Sequence, residues 1–87
     1  MKTIRYFYLE DCPHCKRATA FLREFQQEIP AFADVPLEMI EESRNPELAA
    51  QHDYYYVPCF YVGGQKLHEG VAVRSDVLRV LEAAAEI

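Results

Sequence analysis

Residues 10–15 read EDCPHC, between an apolar run, IRYFYL (4–9), and a long amphipathic segment, KRATAFLREFQQEI (16–29). Two cysteines three positions apart, around a proline and a histidine, stand where a strand turns into a helix. Such a pair is a redox couple, half of a metal site, or an accident of core composition. The surrounding pattern separates these readings. Residues 3–9 are rich in β-branched and aromatic side chains and apolar on both faces except at Arg5, which predicts a central strand. Pro13 suits the first position of a helix. Ala18, Phe21, Leu22, Phe25 and Ile29 then recur at helical spacing, and Pro30 is expected to stop the helix.

Beyond the first helix, VPLEMIE (35–41) alternates as a strand, with Pro36 near its start suiting a sheet edge. NPELAAQH (45–52) predicts a short helix, with Asn45 as N-cap and Pro46 at its first position. VPCFYV (57–62) and QKLHEG (65–70) flank Gly63-Gly64, a two-residue hairpin signal. Ser75 is expected to cap a last helix whose apolar stripe is Val77, Leu78, Leu81 and Ala84. The expected order is β-α-β-α-β-β-α, an α/β fold with helices on both faces of a small sheet.

Eighty-seven residues, about half of them apolar, fit one small domain spanning 1–87. A formal net charge of −5 argues against nucleic acid or an anionic membrane as a general partner. No apolar run approaches the ~20 residues of a bilayer span. The run after Lys2 and Arg5 is too short for a secretory signal, so a cytoplasmic location is expected. Three cysteines, an odd number, do not make a disulfide framework, and in a reducing compartment a close pair is catalytic or metal-binding rather than structural.

At i and i+3 on a helix the two sulfurs share one face, within disulfide reach. Cys12 falls at the helix N-terminus, where unpaired N–H groups and the positive end of the dipole favour a thiolate. Cys15, one turn inward, lies on the stripe of Ala18, Leu22 and Phe25 and is expected to be sheltered. That asymmetry suits exchange in which Cys12 attacks and Cys15 resolves the mixed disulfide. A cationic His14 adds positive charge near the attacking sulfur; the plainer alternative is a solvated histidine at a helix start.

CPHC after a strand, NPELAAQH, VPCFYVGGQKLHEG and SDVLRVLEAAA together resemble the thioredoxin superfamily over nearly the whole chain. The short length and the single strand before the motif are most similar to glutaredoxins and small glutaredoxin-like thioredoxins. The resemblance implies a minimal thioredoxin fold with a four-stranded mixed sheet, acting as a thiol–disulfide oxidoreductase. It also implies that Pro58 is a cis-proline facing the redox pair and that the Val57 backbone pairs with an extended substrate. Pro13, Ser75 and Asp76 join Val57 and Pro58 as substrate-binding candidates, with Asp76 placed to accept a hydrogen bond from a glutathione amino group. No bound cofactor or metal is expected, with glutathione a candidate co-substrate. The expected partners are a disulfide-bearing protein or small thiol and a flavoprotein disulfide reductase, and the expected state is a monomer.

The sequence also departs from the families it resembles. Glu10 and Asp11 stand where glutaredoxins usually carry a lysine shortly before the motif, and are expected to repel a glutathione carboxylate. EGVAVRSD (69–76) is nearer the thioredoxin form, yet the thioredoxin tryptophan before the motif is missing and Tyr6 replaces a buried aspartate. Cys59 is expected to be a small buried side chain, the functional alternative being a third thiol near the pair that serves as a second resolving cysteine. The alternatives are a metal or iron–sulfur module built on Cys12, Cys15 and Cys59, and a non-enzymatic adaptor that borrows the fold. His52 and His68 are expected at the surface rather than as ligands and DYYY (53–56) near the motif, while Lys16 and Arg17 either assist the thiolate or an anionic ligand or lie on a solvated helix face.

Overall fold

In the computed structural model, which describes residues 1–87, Ile4–Tyr8 form β1, Pro13–Glu28 α1, Leu37–Glu41 β2 and Pro46–Ala50 α2. Cys59–Val62 form β3, Gln65–Glu69 β4 and Arg74–Ala85 α3. The order is the one the sequence predicts. Two short 3₁₀ turns, Pro30–Phe32 and Glu42–Arg44, were not anticipated. Pro30 ends the α-helix but then opens a turn of its own, because its fixed φ and missing N–H suit a first helical position.

The strands lie in the order β2-β1-β3-β4. β1 runs parallel to β2, with Ile4 opposite Leu37 and Tyr8 opposite Glu41, and antiparallel to β3, with Phe7 opposite Cys59. β1 is therefore central, as its two-sided apolarity requires, and β2 is an edge, as Pro36 requires. The β3–β4 hairpin turns on Gly63 and Gly64, both at positive φ (56° and 85°), which a two-residue turn of this hand demands.

Alternation along β1 divides the core. Ile4 and Tyr6 join a cluster of 14 buried residues under α1 and α3, including Leu22, Phe25, Phe60 and Leu81. Phe7 faces the other way, with Ile40, Cys59 and Tyr61 beneath α2. The larger cluster supplies most of the apolar burial, at about 25 cal/mol per Å². Arg74, the first residue of α3, sets its guanidinium over the Phe25 ring at 4.4 Å and pairs with Glu24 at 2.8 Å, fixing α3 against α1.

The helix starts differ from expectation at one place. Ser75 does not cap α3; Val73 holds the N-cap position and Ser75 lies exposed in the first turn. Asp76 supplies the cap instead, its carboxylate accepting the Val73 N–H at 3.0 Å. A carboxylate at the third helical position reaches back to the cap N–H and favours the positive helix end, so the shorter serine is not needed. Asn45 precedes α2 as expected, but its side-chain amide donates to the Glu41 carbonyl (2.9 Å) rather than capping the helix.

Candidate functional site

α1 begins where the sequence places it, and Cys12 is its N-cap residue. The Cys15 N–H donates to the Cys12 sulfur across 3.4 Å, so one sulfur receives one of the helix's otherwise unpartnered N–H groups. Cys12 is partly exposed, while Cys15 is 1% exposed, and both are free thiols. Burial pushes the Cys15 thiol up to about 12, and the neighbouring Cys12 adds to the rise. Cys15 is a poor nucleophile until that environment changes.

Tyr6 holds this turn from below. Its buried hydroxyl donates to the Cys15 carbonyl at 2.9 Å and lies 2.9 Å from the Thr19 hydroxyl, one turn further along α1. Its ring stacks on Phe60 with centroids 4.6 Å apart. The position that resembles a buried aspartate thus carries a group that hydrogen-bonds the helix and stays protonated, because burial raises its ionisation far above neutrality.

The loop before Cys12 is tied to β2. Glu41 is the one buried charged residue, and it accepts the Glu10 backbone N–H at 2.8 Å. Hydrogen bonds from Ser43 and from the Glu10 and Arg44 backbone hold its carboxyl at about 2. The Glu10 side chain pairs with Arg44 at 2.6 Å, so it is not the free negative charge that the sequence suggested. Leu9, Glu10, Asp11, Cys12, Glu41 and Ser43 line a depression of about 360 Å³ at the head of α1.

The Val57–Pro58 bond is cis. Because Cys59 lies opposite Phe7, the register carries Val57 and Pro58 to the end of the sheet from which β1 leads into Cys12. Pro58 accepts the Gly70 N–H at 2.9 Å, whereas the Val57 backbone makes no hydrogen bond within the chain. Glu69 accepts the N–H groups of Tyr55 (2.5 Å) and Tyr56 (3.0 Å) and pairs with Lys66, which together hold its carboxyl at about 2. Tyr55 and Tyr56 project outward, 86% and 69% exposed, while Tyr54 turns in against Phe7.

The other expected residues are more scattered. Pro13 and His14 are exposed at the helix start. Asp76 already pairs with Arg79 and serves the α3 cap. Cys59 is buried on the α2 face, away from the α1 face where Cys15 packs, and its thiol is pushed up to about 12 by burial. No group of three His, Cys, Asp or Glu side chains has the arrangement of a metal site. His52 is half-buried rather than at the surface, wedged between Phe7 and Tyr61. Sequence reasoning missed Glu41, Glu69 and Arg44; a glutamate ending a strand carries no signal that a backbone N–H will need it.

A mixed four-stranded sheet between helices, with a Cys-x-x-Cys pair opening the first helix and a cis-proline opening β3, defines a thioredoxin-type α/β domain. The chain belongs to the glutaredoxin family, whose model matches residues 4–67. Among solved structures it is similar to one titled as that of a malarial protein, with 14% identity, a TM-score of 0.75 and 97% of each chain covered. It is also similar to a designed protein, with 25% identity and a TM-score of 0.64, covering 99% of this chain and 72% of that one. No curated protein matches.

Proposed function

We propose that this protein is a thiol–disulfide oxidoreductase in which Cys12 attacks and Cys15 resolves. The observation that carries the reading is the partly exposed Cys12 at the start of α1, its sulfur accepting the N–H of a buried Cys15 one turn behind it. The Cys12 thiolate attacks one sulfur of a substrate disulfide; that S–S bond breaks, and the departing thiolate takes a proton. Cys15 then gives up its proton and attacks the Cys12 sulfur, releasing the second substrate thiol. The substrate gains two electrons and two protons, and the protein is left with a Cys12–Cys15 disulfide. Once Cys12 is in a mixed disulfide its charge no longer opposes ionisation of Cys15, which eases the resolving step while burial still holds that thiol up.

The unpaired Val57 backbone, at the same end of the sheet as this pair, suits an extended substrate segment added as a strand, with Pro13 and Pro58 as further contacts. His14, exposed at the helix start, is placed to bias the attacking sulfur electrostatically. Ser75 and Asp76, in the first turn of α3, complete the proposed substrate contacts. A dithiol restores the protein; Asp11 and the prior engagement of Arg44 by Glu10 favour a flavoprotein disulfide reductase over glutathione in that role. The work belongs to a reducing, cytoplasmic setting and needs no bound cofactor.

Reduction of a cystine-containing protein such as insulin by dithiothreitol tests this. The chain is expected to accelerate it at least about tenfold over the small dithiol, and Cys12→Ser to abolish the gain. Equal turnover by Cys12→Ser contradicts the reading.

A further inference from the structure

Glu41 is a buried charge with a task that the exchange chemistry leaves unassigned. It ends β2 opposite Tyr8, at the point where the parallel ladder stops. One carboxylate oxygen accepts the Glu10 N–H at 2.8 Å. The other accepts the Ser43 N–H (2.7 Å), the Ser43 hydroxyl (2.5 Å) and the Arg44 N–H (3.3 Å). The carboxylate thus stands in for the next carbonyl of the ladder and joins the loop before Cys12 to the turn after β2. Outside it, the Glu10–Arg44 pair at 2.6 Å makes a second tie between the same two segments. Inside the loop the Cys12 N–H closes on the Leu9 carbonyl at 3.2 Å. Leu9 and Cys12 are therefore tied to each other and Glu10 to the turn after β2, leaving only Asp11 of this loop without a hydrogen bond.

We propose that Glu41 is a positioning residue for Cys12: its carboxylate clamps the Leu9–Asp11 loop so that the sulfur stays seated on the Cys15 N–H in the first turn of α1. The inference rests on Cys12 being the attacking thiol. It needs a carboxylate and not merely a polar side chain, because both oxygens face donors. Glutamine has the same shape but would turn an NH₂ toward the Glu10 N–H or the Ser43 N–H, opening one side of the clamp. Loosening the loop lowers the share of time the sulfur spends on the Cys15 N–H, and misplacement of a reacting group is costly in rate.

The sign of the effect separates this role from simple electrostatics. Glu41 lines the same depression as Cys12, so removing its negative charge alone favours the thiolate and speeds reaction. Removing the clamp slows it. The test is iodoacetamide labelling of the reduced full-length protein at pH 7, each cysteine followed by peptide mapping, together with the reduction potential of the Cys12–Cys15 couple. Glu41→Gln is expected to slow Cys12 about tenfold and to make the couple more reducing, because the thiolate loses support. Val80→Ala, a core change in α3, is expected to lower the melting temperature without moving either value.

Should Glu41→Gln fail to fold, Glu10→Gln breaks only the exposed outer tie and, like Glu41→Gln, removes a negative charge; it is expected to slow Cys12 about two- to threefold. Unchanged or faster labelling of Cys12 in folded Glu41→Gln, or in Glu10→Gln if that variant alone folds, overturns the proposal and leaves the attacking role intact. Preferential labelling of Cys15 or Cys59 in the unmodified protein would overturn that role instead.

Discussion

The hydroxyl of Tyr6, in the middle of the central strand, donates to the carbonyl of Cys15 across 2.9 Å. A residue of the sheet thereby fixes the first turn of the helix that carries both site cysteines. Tyr6→Phe keeps the stacking on Phe60 and deletes this bond together with the contact to Thr19. The expected loss is about 1 kcal/mol of stability, since the Cys15 carbonyl keeps its helical partner. Denaturant unfolding measures it; a loss above about 3 kcal/mol would mean that the hydroxyl supports more than this turn.

The three thiols are expected to separate by environment. Burial holds Cys15 and Cys59 at about 12, so at pH 7 to 8 both are almost wholly protonated, whereas Cys12 is partly exposed at the head of α1. Labelling of the native reduced protein should therefore modify Cys12 first, by at least about a hundredfold. Comparable labelling of Cys59 would mean that the α2 face opens readily in solution.

Acid is expected to act on the two carboxylates that hold the loops. Glu41 and Glu69 have folded values of about 2 against an ordinary 4.5. A depressed carboxyl contributes stability above its ordinary value and loses it as pH falls toward the folded value. The melting temperature should be flat from pH 7 to about 5 and then fall steadily toward pH 2. Glu69→Gln should shallow that fall; an unchanged acid slope in this variant would show that other groups set it.

Charge before the motif is expected to govern the electron donor. Glu10 engages Arg44, and Glu10→Lys would both free that guanidinium and add a cation beside Cys12. Glutathione-supported turnover should rise about three- to tenfold in Glu10→Lys, the reversed charge outweighing the loss of the outer tie, with a smaller effect at high salt. Efficient glutathione turnover in the unmodified protein, indifferent to the substitution, would contradict the preference for a flavoprotein reductase.

Much of this was legible in the sequence because it rests on periodicity and on residues with restricted backbones. Two-sided apolarity placed β1 at the centre, Pro36 placed β2 at an edge, and Gly63-Gly64 placed the hairpin. The CPHC stretch at a strand-to-helix junction located Cys12 at a helix start and Cys15 beneath it, as the structure has them. What escaped depends on contacts between residues far apart in the chain. Glu41 and Glu10 are 31 positions apart, and no local pattern announces that a strand-ending carboxylate will finish a ladder with a neighbouring loop. The α3 cap failed for a related reason: Ser75 and Asp76 are both good N-terminal residues, and only the path from Gly70 to Val73 decides which one reaches back.

The central claim, attack by Cys12 with resolution by Cys15, is tested most directly by intact-protein mass spectrometry after brief exposure to a cystine-containing peptide. In Cys15→Ser, one peptide should remain bound through a mixed disulfide at Cys12, stable for minutes. In the unmodified protein the same adduct should vanish, leaving a chain two hydrogens lighter with Cys12 joined to Cys15. An adduct in Cys15→Ser that maps to Cys59, or that is released as fast as in the unmodified protein, would contradict the account.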